Sequence, residues 1–234
     1  NLVQDEHPRV RLEAIRLLSQ LPSVESAQAA CLALHKPMDR FLDFALWQTM
    51  RDLSNGWLGE FRSGKFRFGN DPSAIAFALK AVEDPSTIDA VLTMLDEKPT
   101  SDDAANAQAA RSTMAILVAE LGNGAQQAKL IDRLIDPVSP TALPDEALRG
   151  QLLQAVLDAS QRRKEGLAIQ PSTIEALSKL AEQAIAKDKN NEALAPMDLG
   201  LVALRSLGPW RIAGARPRIE AISQDAGSSS TIRI

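Results

Sequence analysis

Residues 5–22 read DEHPRVRLEAIRLLSQLP, and this stretch decides the fold class. Pro8 stands where a first helical turn accepts it, because an amide hydrogen there would have no partner inside the helix. Val10, Ala14, Leu17, Leu18 and Leu21 follow at i, i+4, i+7, i+8 and i+11. That spacing draws one apolar stripe along a helix and predicts that this face meets the core. Pro22 ends the unit.

Working outward, the same pattern recurs with different residues, and eleven helices are expected. The first spans residues 8–20. A second covers 24–34, capped by Ser23, with Ala27, Ala30, Cys31 and Leu34 on one face. A third covers 39–53 with Leu42, Leu46, Thr49, Met50 and Leu53 inward and Phe41, Phe44 and Trp47 beside them. Asp71-Pro72 and Asp84-Pro85 each offer a cap oxygen and a preset φ, so each opens a helix. Further helices are expected from Ser101 to Leu121, at 125–135, at 145–163, at 173–186 behind an S-x-x-E capping box of Ser172 and Glu175, at 197–207 and at 216–224. Residues 54–71, SNGWLGEFRSGKFRFGND, break the rhythm with four glycines and no clean period. They are expected to form a long connection containing one short helical turn. Residues 1–224 thus read as one domain, and 225–234 as a polar tail or linker. The chain opens on Asn rather than Met, which reads as a fragment of a longer protein.

Composition agrees with helices. Of 234 residues 45% are hydrophobic but only 4% aromatic, and Tyr is absent. An Ala- and Leu-rich core with no alternating strand pattern favours helix over sheet. Short connections between amphipathic helices make antiparallel neighbours, and a row of such pairs is an α-solenoid. The expected fold is therefore all-α, a HEAT/ARM-like superhelix of antiparallel helix pairs. A net charge of −4, from 26 basic and 30 acidic residues, argues against a nucleic-acid binder. No apolar run approaches membrane-spanning length.

The candidate chemistry is sparse. Cys31 and His35 are four residues apart and share a helix face, but zinc normally takes at least three protein ligands. A buried thiol and a histidine at a helix C-terminus explain them better. Asp102-Asp103 and Asp145-Glu146 stand at helix starts, where negative charge favours the helix dipole. Phe61-Arg62-Ser63-Gly64-Lys65-Phe66-Arg67-Phe68 interleaves cations with rings. It reads either as an anion or nucleic-acid loop or as a loop pinned by its phenylalanines, with Arg62, Lys65 and Arg67 facing water; the second reading is preferred. Near the C-terminus Trp210 sits at a Gly-Pro junction. Arg205, Arg211, Arg216 and Arg218 enrich this end in positive charge and make Arg211, Arg216 and Trp210 candidates for docking an acidic neighbour. There is no G-x-S-x-G, phosphate loop or Ser/His/Asp grouping. No catalytic, cofactor-binding or metal residue is assigned.

DEHPRVRLEAIRLL resembles the first helix of a HEAT repeat. By that resemblance Asp5 and Arg11 are a structural pair between successive repeats. With ALHKPMDRFLDFALWQTMRDLSNGW and GKFRFGNDPSAIAFALKAV, residues 5–83 further resemble the HEAT region of large multidomain haem-binding, dehydrogenase-like proteins common in planctomycetes and their relatives. In that family a β-propeller precedes the helical region and a c-type cytochrome domain with CxxCH follows. Cys31 is the only cysteine, so no CxxCH is present and no haem attaches to this chain. The resemblance implies a non-catalytic scaffold that contacts proteins or flanking domains of its own polypeptide, with no nucleic acid, in an extracytoplasmic or periplasmic parent carrying haem c elsewhere. The alternative is a HEAT-like enzyme, DNA glycosylase-like or bilin lyase-like, or a nucleic-acid module. The glycosylase would need a basic groove with aromatics and an acid.

Overall fold

The computed structural model describes residues 2–97, 104–135, 143, 145–163, 167–190 and 192–212. Among these residues all regular structure is helical and there is no strand. Residues 216–224 and 225–234, expected as a last helix and a tail, lie outside the described residues, as does the Ser101 cap. Where the sequence reads as a single domain over 1–224, the chain divides into two compact units, Asn1–Leu117 and Val118–Ile234.

The first unit contains α1 (Pro8–Leu18), α2 (Val24–Cys31), α3 (Arg40–Asp52), α4 (Ser54–Arg62), α5 (Pro72–Val82) and α6 (Ile88–Asp96). The odd helices pack in series, α1 on α3 and α3 on α5, while α2 packs on α4 and α4 on α6. The starts follow the local chemistry. Ser23 accepts a hydrogen bond from the Ser26 amide, Asp39 from Phe41 and Leu42, Asp71 from Ser73 and Ala74, and Asp84 from Ser86. The inward stripe of α3 is buried at Leu42, Leu46, Thr49, Met50 and Leu53.

Two expectations are corrected here. The stripe of α1 does not face the core as a whole: Arg11, Ala14 and Ile15 are buried, whereas Val10, Leu17 and Leu21 are 36%, 64% and 55% exposed. The buried face is rotated from the apolar one, because α2 and α3 approach α1 on the side of Arg11 and Ile15. Nor is 54–71 mainly a connection, since α4 occupies its first half. Trp57 and Phe61, at i and i+4, are fully buried on the inner side of α4, and the indole N–H donates to the Met50 carbonyl at 3.2 Å. Phe66 and Phe68 close on them. The Phe68 ring lies 5.1 Å from Trp57 and 4.6 Å from Phe66 between centroids. Phe68 has φ +49°, a left-handed conformation that is strained for a bulky residue and that the surrounding rings hold in place.

α7 (Ala104–Leu121) contains the point of division. The second unit continues with α8 (Gly124–Ile135), α9 (Glu146–Arg163), α10 (Pro171–Lys189) and α11 (Leu199–Leu207). α8 packs on α9 and α10, and α11 packs on α9 and α10. Asn123 and Gln126 exchange backbone-to-side-chain bonds at the start of α8, a reciprocal cap built from the polar stretch that also ends α7. The Ser172 and Glu175 box is not the start of α10. That helix begins earlier, at Pro171, with Gln170 before it, so Ser172 already lies within its first turn.

Glycine sets how closely the second unit packs. A Cβ on Gly150 of α9 would stand 1.9 Å from the Met197 carbonyl oxygen, and one on Gly200 of α11 would stand 2.6 Å from that of Leu180 in α10. Backbone therefore meets backbone where side chains would otherwise intervene.

Candidate functional site

Asp5 and Arg11 meet through the main chain of Asp5. The Arg11 guanidinium, 4% exposed, donates to the carbonyls of Asp5 at 2.8 Å and Glu6 at 3.1 Å. Its other arm donates to the Pro37 carbonyl at 2.8 Å, tying the start of α1 to the approach to α3. The Asp5 carboxylate instead accepts from the His7 amide. Three carbonyls thus accept from the two terminal nitrogens of one buried cation, while its Nε is buried with no hydrogen-bond partner among the described residues.

Two of the three cations of the basic segment are committed to intramolecular pairs. Arg62 is bonded to Asp84, and Arg67 reaches both carboxylate oxygens of Glu97. Burial would raise the Asp84 carboxyl, but bonds from Ser86 and the Arg62 charge outweigh it and hold the group below the usual carboxylate range. Glu97 is lowered by its bond to Arg67, and Arg67 is raised in turn. Lys65 is exposed and has no ion-pair partner among the described residues. Phe61, Phe66 and Phe68 are buried, so the segment shows solvent no rings on which a base would stack.

Cys31 is buried with its sulfur 3.6 Å from that of Met50; burial, then the Asp71 charge, pushes the thiol up to about 12. An unionised thiol of this kind is a core side chain. The His35 Nε2 lies 2.8 Å from the Asp71 carboxylate, so a residue after α2 meets the cap of α5. Among the described residues no group of three His, Cys, Asp or Glu is placed to hold a metal ion.

In the second unit the half-buried Trp210 donates its indole N–H to Ser160 Oγ of α9 at 2.9 Å. Arg211 is exposed, with φ +51°. Arg216 lies outside the described residues. No helix among the described residues is long and apolar enough to cross a membrane.

The surface with the most uncompensated character is the outward side of α1 and α3. Phe41 is 60% and Phe44 61% exposed, and Leu17 lies across from them. With Leu12, Arg16 and Gln48 they line a groove of about 810 Å³. Trp47, expected as packing, is also partly exposed; it stacks on Phe44 at 5.9 Å and carries the Arg51 guanidinium 4.7 Å above its ring. Arg51 also donates to the Ala81 carbonyl of α5, which fixes the edge of this platform. The two helices are locked beneath the groove where Thr49 Oγ1 donates to the Ile15 carbonyl at 3.4 Å. The arrangement places aromatic area next to water. On the outward side of α3 the exposed Phe41, Phe44 and Trp47 alternate with Asp43, Gln48 and Arg51, and no local sequence signal separates these rings from core residues. Comparison with protein-family models, with curated proteins and with solved structures finds no match to this chain.

Proposed function

We propose that this chain is a non-catalytic HEAT-type helical scaffold that binds protein through the outward groove of α1 and α3. The observation that carries the reading is the exposure of Phe41 and Phe44 on a locked helix pair. A large apolar patch in contact with water is costly unless a partner covers it. The solenoid architecture is supported by the alternation of contacts, odd helix on odd and even on even, and by the Arg11 clamp between α1 and the approach to α3. The kinship with the helical region of multidomain haem proteins rests on the likeness of residues 5–83. Reading the frame around this chain tests it, with CxxCH downstream and propeller repeats upstream as the expected result.

Chemical cross-linking in the cells that make the protein, followed by mass spectrometry, tests the scaffold reading. The expected result is that reproducible links from α1 and α3 to one partner, or to a flanking domain, disappear in Phe41→Ser/Phe44→Ser. Links unaffected by that change would overturn the assignment of the groove. Excision of a modified base by the purified chain would favour the glycosylase-like alternative.

A further inference from the structure

A second surface lies on the flank of α1, distinct from the groove although Leu17 borders both. Val10, Ala14, Leu17 and Leu21 stand at i, i+4, i+7 and i+11, and Val10, Leu17 and Leu21 are open to water. Leu2, 62% exposed, extends the same strip, and Leu2, Val10, Ala14 and Leu17 line a shallow, almost wholly apolar depression of about 530 Å³. Within α1 the strip from Val10 to Leu17 runs about 10 Å at 1.5 Å per residue, and Leu21 follows beyond the helix end. Its spacing is that of a buried helix seam, and ridges repeating at this period are matched by the grooves of another helix.

The charge beside the seam decides what kind of helix. Glu13 is engaged with Arg16 at 3.6 Å, whereas Arg9 has no carboxylate partner among the described residues. Arg9 lies in the first turn of α1, where the helix dipole is also positive. A second copy of α1 is a poor occupant: laid parallel it would set Arg9 against Arg9, and laid antiparallel it would bring Arg16 toward Arg9.

We propose that the Val10–Leu17 seam of α1 docks an amphipathic α-helix of a partner protein, with the partner's apolar stripe on Leu17 and a carboxylate on Arg9. This rests on the reading of the chain as an interaction module but uses a different surface from the groove.

The test uses the full chain and two labelled peptides of about 18 residues. One has a leucine stripe flanked by glutamate; the other has lysine in place of every glutamate. Fluorescence anisotropy is expected to show the glutamate peptide binding about tenfold more tightly than the lysine peptide. Leu17→Asp should weaken it by about tenfold or more, and Arg9→Glu should invert the preference between the peptides. Equal affinity of the two peptides, failure of both to bind, or indifference to Leu17→Asp and Arg9→Glu would overturn the proposal. So would a dimer in sedimentation velocity that Leu17→Asp dissolves, since the seam would then belong to a second copy. Binding abolished by Phe44→Ser but not by Arg9→Glu would place the peptide in the groove; the seam would then fail while the scaffold reading stood.

Discussion

The two units solve the same packing problem with opposite materials. All six phenylalanines and two of the three tryptophans lie within residues 1–117. There a knot of Trp57, Phe61, Phe66 and Phe68 fills the space between α4 and the following turn. Residues 118–234 have Trp210 as their one aromatic. Their core is Leu, Ala, Ile and Val, and α10 and α11 come together over Gly200. A core of bulky rings tolerates an irregular backbone such as the left-handed Phe68, because each ring removes much apolar area from water. A core of small residues depends on close backbone approach, and there a single added carbon matters.

The comparison can be broken most severely at Trp57. Trp57→Ala removes the largest buried side chain and orphans the Met50 carbonyl, and should cost about 3–5 kcal/mol. Hydrogen exchange should then lose protection in α2–α4 while α9–α11 keep theirs; equal loss in both units would mean that they unfold as one. Next in size, one substitution made in both units should change sign. Gly150→Ala places a carbon against the Met197 carbonyl and should destabilise by about 1–3 kcal/mol in urea unfolding. Gly59→Ala, on the exposed side of α4 with open space around it, should stabilise by about 0.5–1 kcal/mol through helix propensity.

A smaller effect is set by pH. The Asp84 and Glu97 carboxyls are depressed in the folded state. Their contribution is complete above the unfolded carboxylate value near about 4 and is lost as pH falls through the lower folded values. Thermal midpoints should therefore fall on acidification below about pH 4, by the equivalent of at most about 1 kcal/mol for such half-exposed pairs. An Arg62→Gln/Arg67→Gln variant should flatten that dependence. Smallest of all, Leu17→Ser should change stability by less than about 0.5 kcal/mol, because the side chain is already wet. A loss of several kcal/mol would show that Leu17 is covered by its own chain in solution.

Local grammar made much of the first unit legible. Ser23, Asp39, Asp71 and Asp84 cap helices because a short oxygen-bearing side chain meets free amides within three residues, which is a property of adjacent sequence. The inward residues of α3, Leu42, Leu46, Thr49, Met50 and Leu53, followed from period alone. What escaped is equally physical. Four glycines in 54–71 outweighed the Trp57–Phe61 spacing, although two buried rings offset the propensity cost of the glycines in α4. The basic segment looked solvated because the carboxylates that hold Arg62 and Arg67 lie 22 and 30 residues further on. The groove was hidden because Phe41 and Phe44 are apolar, and nothing local distinguishes an aromatic on the wet side of a helix from one on the dry side.

The sequence by itself determined that this protein is built of helices and where most of them start. These follow from caps, period and composition, each spanning a few residues. Only the tertiary structure decided which side of α1 is buried, because that depends on where α2 and α3 arrive. Arg11 is drawn inward to the Pro37 carbonyl while Leu17 is left in water. A stripe states that a helix has an apolar side; long-range packing alone assigns that side to the protein's own core or to a partner.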